Sequence, residues 1–200
     1  MPDQFAYVPE ARQPRTNRQV ETIRGQLHRF MLIPLMEHHT RWFDAGPVSI
    51  GVEARALGTG PDNMVRGPSI HVCSADRSKE YLRFDVFGAV LHYHYILNEE
   101  DHNILWGYDP DANGPMIPWV CAALRNRLPT MLRGAGAHLL ATEVEQAGWD
   151  SSVLAGVEKA ASEALAPRAD DLERALQGMD WMMQWKKVHP QFNTVEEGEI

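Results

Sequence analysis

Cysteine is nearly missing from this chain: Cys73 and Cys121 are the only two in 200 residues, and neither belongs to a C-x-x-C pair. That sets aside a disulfide-stapled scaffold, a cysteine zinc site and a dithiol redox centre. Long apolar runs are missing too. The strongest, residues 30–36, is seven residues long and contains Pro34, whereas a membrane-spanning helix needs about 20 apolar residues. Residues 1–10 have neither the basic start nor the apolar segment of a secretory leader. The expectation is a cytoplasmic protein with two reduced thiols and no membrane partner.

Basic charge is also in short supply. Lys and Arg number 19 against 27 Asp and Glu, a formal net charge of −8. Non-specific nucleic-acid binding draws most of its affinity from cationic side chains on phosphates, so no nucleic-acid partner is expected. Arg12, Arg15, Arg18, Arg24 and Arg29 do make the first thirty residues locally basic, which suits an acidic protein surface. There is no G-x-S-x-G elbow, no phosphate-binding P-loop and no H-E-x-x-H. Gly134-Ala135-Gly136-Ala137 is glycine-rich, but it follows a helical pattern and lacks the strand that a dinucleotide loop requires. No cofactor motif is present, so none is expected, with iron or zinc as the alternative should the histidines discussed below bind a metal.

What the chain has is enough apolar material for one domain with extensions: 44% hydrophobic residues and 23% charged. Residues 1–15 carry Pro2, Pro9 and Pro14 and read as an extended arm. Over 16–46 the pattern predicts helix. Thr16-x-x-Gln19 resembles a capping box, Val20, Ile23, Leu27 and Phe30 follow at helical spacing, and a second segment runs from Pro34 past His38-His39 and Trp42 to Gly46-Pro47. An α+β core is expected over 47–136. Val48, Ile50, Val52, Ala54 and Ala56 alternate with Ser49, Gly51, Glu53 and Arg55 as in a strand, and 69–74, 80–86, 90–97 and 103–108 read likewise. A helix then starts near Pro118, bends at Pro129 and stops at Gly134. Further helices are expected over 137–190, followed by an acidic tail at 191–200. The fold class predicted is α+β, an antiparallel sheet of four or five strands packed on helices, with helical N- and C-terminal extensions.

The densest polar pattern lies in Arg83-Phe84-Asp85-Val86-Phe87-Gly88-Ala89-Val90-Leu91-His92-Tyr93-His94-Tyr95. With a turn at Gly88-Ala89, Asp85 faces His92, Phe84 faces Tyr93 and Arg83 faces His94. Arg83, Asp85, His92 and His94 then share one face, left open to solvent, a pocket or a partner, while Leu82, Phe84, Val86, Tyr93 and Tyr95 pack on helices. Three readings remain for the polar face. It is a purely structural cross-strand ladder; or an acid/base or anion pocket in which Asp85 orients His92 as the catalytic pair and Arg83 and His94 bind ligand; or a metal site of His92, His94 and Asp85, the two-histidine, one-carboxylate set that suits non-haem iron. His71 joins this face or the apolar one according to how the turn over 75–78 is built.

Leu82-Arg83-Phe84-Asp85, His92-Tyr93-His94-Tyr95, Asp109-Pro110 and Arg127-Leu128-Pro129 together resemble a family of small bacterial proteins of unknown function, which share an R-F-D…H-Y-H-Y hairpin ahead of a helix containing R-L-P. The resemblance covers residues 48–136 and implies no activity, cofactor or catalytic residue. The final helix is apolar on two sides, with Leu172, Leu176, Met179 and Met183 on one stripe and Trp181, Trp185 and Val188 on another. Trp42, Met179, Trp181, Met182 and Trp185 are therefore candidate interface residues. The leading expectation is an accessory or small subunit of a bacterial cytoplasmic enzyme assembly, its partner another subunit or a second copy. The alternative is a small enzyme or anion-binding protein using the hairpin face.

Overall fold

A computed structural model describes residues 26–28, 35–87, 91–99 and 102–188. Within them lies a seven-stranded antiparallel sheet: β1 (Gln26–His28), β2 (Thr40–Ala45), β3 (Val48–Leu57), β4 (Val65–Ser74), β5 (Glu80–Asp85), β6 (His92–Leu97) and β7 (His102–Gly107). The spatial order is β1-β7-β6-β5-β4-β3-β2. From β2 to β7 the chain is thus a plain meander in which sequence neighbours pair. The three-residue β1 closes the far edge, with Gln26 opposite Leu105 and His28 opposite Asn103.

Five helices follow: α1 (Pro110–Asn113), α2 (Met116–Gly134), α3 (His138–Ala147), α4 (Leu154–Glu163) and α5 (Asp171–Val188). Asp109 caps α1 by accepting hydrogen bonds from the Asp111 and Ala112 amides. Pro118 falls in the first turn of α2, where its missing N–H costs nothing, while Pro129 sits inside the helix and removes one bond from its ladder. One face of the sheet is apolar. Val48, Ile50 and Val52 of β3, Ile70 and Val72 of β4, and Leu82 and Phe84 of β5 bury against Val120, Leu124, Leu128 and Leu132 of α2 and Leu154 and Val157 of α4. Trp119 tucks against Tyr93 and Tyr108 at the end of this core, with ring centroids 5.4 and 4.9 Å away.

The α+β class and the antiparallel sheet are as the sequence predicts, and the strand number is higher. The expected N-terminal helix is corrected where it is described. Residues 26–28 are a strand, Glu37–His39 form a single 3-10 turn, and Thr40–Ala45 form β2. The reason is local. Ala45 pairs with Val48, leaving Gly46-Pro47 as a two-residue hairpin loop, and Gly46 takes φ +78°, which such a loop demands of its first residue. Gly46-Pro47 therefore reverses a strand instead of stopping a helix. The predicted capping box at Thr16, the arm, the Gly88-Ala89 turn and the acidic tail lie outside the described residues. At the other end the extension is helical, as α5.

Candidate functional site

The second face of the sheet is polar, and it is built in two registered rows. Glu53, Ser69, Asp85 and His92 stand opposite one another across β3 to β6, and Gly51, His71, Arg83 and His94 form the next row. Asp85 faces His92, Arg83 faces His94 and Phe84 faces Tyr93. That is the pairing expected from the hairpin's alternation. Strand parity alone brings the rest together, because residues two apart share a face.

The expectation that this face is open requires correction. Arg83 is 2% exposed, Asp85 4%, His94 5% and His71 0%. A charge in such a place must be paired, and these are. Glu80 takes both prongs of Arg83, Nε to Oε1 at 2.8 Å and Nη2 to Oε2 at 2.6 Å. Glu53 receives Arg55 the same way, at 3.0 and 2.7 Å. His71 bridges the two carboxylates: Nδ1 lies 2.6 Å from Glu80 Oε1, and Nε2 lies 3.2 Å from Glu53 Oε2, off the hydrogen-bond direction. Burial opposes the charge on Glu53, yet the His71 contact and the Arg55 guanidinium hold its pKa down at about 2. Burial likewise opposes Glu80, and Arg83 with His71 overrides it, so this carboxyl sits well below the usual range. The Arg83 guanidinium, which burial disfavours, is held charged by Glu80.

Beside this ladder, Asp85, His92 and His94 form a second cluster. Asp85 Oδ2 lies 3.3 Å from His92 Nε2 and 3.2 Å from His94 Nε2. One donor atom from each of the three residues falls within 4.8 Å of the other two. Ser69 Oγ donates a short hydrogen bond to Asp85 Oδ1, the oxygen turned away from the histidines. His94 Nδ1 lies 3.0 Å from Asn103 Oδ1. An amide oxygen only accepts, so Nδ1 carries the proton there, and the lone pair of a neutral His94 is left on Nε2, aimed at Asp85. Burial pushes the pKa of His94 down despite the neighbouring carboxylate. Burial works against the Asp85 charge as well, but contacts from His92 and His94 hold it ionised, well below its ordinary pKa.

The arrangement has the parts of a metal site. Ligand atoms on a metal with bonds of about 2.0–2.1 Å stand roughly 3.0 Å apart in octahedral geometry and about 3.4 Å in tetrahedral. The two carboxylate–imidazole separations already lie in that interval. Ser69 and Asn103 hold the outer atoms of Asp85 and His94, as the partners of metal ligands do. The His92 side chain is 20% exposed against 6% for Asp85 and His94, so solvent reaches the cluster from the His92 side.

Other sequence candidates fall elsewhere. His38 and His39 end the short 3-10 turn, and Trp42 lies on β2 with Nε1 bonded to Glu37 at 2.8 Å and Arg77 stacked 4.6 Å over its ring. On α5, Met179, Trp181 and Met182 are half-buried, while Leu172, Leu176 and Met183 are exposed; the Trp185 side chain lies outside the described residues. Cys73 and Cys121 are free and buried, and burial raises both thiols, Cys121 to about 11. Sequence reasoning missed Glu53, Ser69, Glu80 and Asn103. Their signal was parity: Glu53 and Ser69 share it with Asp85 along their strands, and Asn103 lies on the strand paired with His94. No helix among the described residues is long and apolar enough to cross a membrane. Residues 42–161 match a family described as a domain of unknown function, DUF7700. No curated protein and no solved structure matches the chain.

Proposed function

Because the chain belongs to the DUF7700 family, a domain of unknown function, its role has to be read from the site, and we propose that Asp85, His92 and His94 hold a divalent metal ion in a small metal-dependent enzyme. One observation carries the proposal. An ionised Asp85 Oδ2 lies 3.2 Å from His94 Nε2 and 3.3 Å from His92 Nε2, so one carboxylate oxygen and two imidazole nitrogens converge on one point. An imidazole N–H would bridge either pair alone; the convergence of one carboxylate and two imidazoles on a single point, reached by solvent beside His92, is what favours a metal ion.

Two histidines and one carboxylate suit ferrous iron or zinc and leave coordination positions free for water or substrate. When bound, such an ion acts as a Lewis acid on an oxygen in those positions. The chain's own contribution is orientation: Ser69 turns Asp85, Asn103 sets the tautomer of His94, and the partly exposed His92 marks the entrance. Arg83 is committed to Glu80, so its fork supports the layer and is not offered to an anion. Elemental analysis of untagged protein tests the reading. About one equivalent of zinc or iron per chain, lost in a His92→Ala/His94→Ala variant, is expected; a chain that stays metal-free after reconstitution with both ions overturns it.

A second reading, the accessory-subunit role, is favoured by α5. Leu172, Leu176 and Met183 are 38, 48 and 51% exposed and lie on one stripe of that helix. Such a stripe is a docking feature for another protein surface. Size-exclusion with light scattering, followed by purification from the native host, tests this role. A lone monomer with no co-purifying protein ends it.

A further inference from the structure

Helices do not cover the apolar side of the sheet across its whole width. Helix α2 packs on β5 and β6, α4 on β2, β3 and β4, and α5 on β3, while α3 packs on α2. The helix side of β7 and β1 is left without a helix of its own among the described residues. Helices laid side by side on a sheet stand about 8–10 Å apart, which is two strand spacings of about 4.8 Å. The vacant position beside α2 therefore falls over β7 and β1. Trp106 and Ile104 of β7 stand there, opposite Tyr93 and Tyr95 of β6.

Tyr93 belongs to the helix side, its ring 5.9 Å from that of Phe84 and 5.4 Å from that of Trp119, and Trp106 shares its face. Trp106 is 39% exposed, and Ile104, Tyr93 and Tyr95 are half-buried. One exposed apolar residue needs no explanation, but four on two adjoining strands form a contiguous patch. The direction of β1 says what reaches it. Gln26 stands opposite Leu105 and His28 opposite Asn103, so the chain comes to β1 from the Trp106 end of β7. Exposed Asp109 and Asp111 lie just beyond that end. Residues 1–25 are outside the described residues. In their sequence Val20 and Ile23 are one helical turn apart, Arg15, Arg18 and Arg24 make the stretch basic, and Gly25 is the residue type that commonly ends a helix ahead of a strand.

We propose that this patch is the docking surface for residues 16–25 of the same chain, with Val20 and Ile23 set on Trp106 and Ile104 and the arginines toward Asp109 and Asp111. The occupant follows from where the segment ends. It is tethered at Gln26, on the strand beside β7, so its effective concentration at the patch is in the millimolar range or above, beyond what a second copy reaches in dilute solution. Ten residues also suit the length, since they make a helix of about 15 Å against a six-residue strand of about 20 Å. The patch lies inside the family-matched residues 42–161 and its occupant outside them, so this chain brings its own cover to a surface of the family domain. The docking takes place on the side of the sheet away from Asp85, His92 and His94 and does not rest on the metal reading.

Oxidative footprinting of the full chain, read by mass spectrometry, tests the proposal with Trp106 as the reporter. In Val20→Asp/Ile23→Asp the Trp106 ring should react at least about twofold faster than in wild type, because the patch loses its cover. Thr22→Asp adds charge on the other side of the same turn and should leave the rate unchanged. A double-mutant cycle gives a second reading. Trp106→Ala and Val20→Ala/Ile23→Ala should each lower the melting temperature by about 5 °C, the scale of a lost apolar contact in a chain of this length, and together by clearly less than the two shifts added. Neither shift should depend on protein concentration. Equal oxidation rates in wild type and Val20→Asp/Ile23→Asp overturn the proposal, as do additive melting shifts. Protection of Trp106 that grows with protein concentration also overturns it and assigns the patch to a second copy.

Discussion

At Arg83 a guanidinium with 2% exposure gives both prongs to a single carboxylate, and that carboxylate also takes the His71 ring. Removing one member of such a buried set strands the others. Arg83→Met should cost about 3–5 kcal/mol in urea unfolding, because Glu80 keeps its charge and loses its main counterion. A loss under about 1 kcal/mol, the scale of a solvated cross-strand pair, would mean that the face is open after all. Asp85, His92, Arg83 and His94 were legible as neighbours because a hairpin with period-two alternation has one sensible register. Their burial was not legible. It depends on Glu53, His71 and Glu80, contributed by β3, β4 and the start of β5, and a single hairpin says nothing about charges two strands away.

Elements here are held by close approaches that small residues permit. On α4, an added Cβ at Gly156 would come within 2.7 Å of the Phe43 ring of β2. Gly156→Val should therefore push α4 off the β2–β3 edge and cost about 1–3 kcal/mol, measured by thermal or urea unfolding. Gly67 is tighter, since a Cβ there would meet the Val86 carbonyl oxygen at 2.4 Å, and its φ is +154°. Backbone gives way less readily than a ring, so Gly67→Ala should be the worse of the two; equal stability of both variants with wild type would show that the approaches are looser than described. The same scale explains why β2 was misread as helix. His38 and Trp42 are four apart, which fits a helical stripe, but Thr40, Trp42 and Phe43 are β-formers, and the two-residue loop to Val48 decides for the strand. The helices after Asp109 were easier, because Pro118, Gly134 and the Asp150 cap mark their limits and Asp150 does accept from the Ser152 amide.

Over the whole molecule, one sheet separates an apolar side packed on helices from a buried polar side, and that polar side makes stability depend on pH in one direction. Glu53 falls from its ordinary 4.5 to about 2 in the fold. Its contribution is therefore complete above about pH 4.5 and is lost as pH falls toward 2; on linkage grounds it is worth of order 3 kcal/mol. Asp85, also lowered, acts with the same sign. His94 is lowered from 6.5, so below that pH the unfolded chain takes up a proton that the folded one resists, and stability again declines. Melting temperature should fall steadily from pH 7 to pH 3; a flat profile would contradict the buried ladder. The seven-stranded order was only partly legible, since adjacency of β2 to β7 follows from short connections whereas the pairing of β1 with β7 joins segments about eighty residues apart.

The metal reading is tested most directly by anomalous diffraction at the zinc and iron absorption edges, from crystals of protein reconstituted with each ion. The account predicts a peak about 2.0–2.2 Å from His92 Nε2, His94 Nε2 and Asp85 Oδ2, with the His94 Nδ1 bond to Asn103 retained. Reconstituted crystals with no anomalous density among those three atoms, and with the two imidazoles hydrogen-bonded to Asp85 as protonated donors, would contradict it.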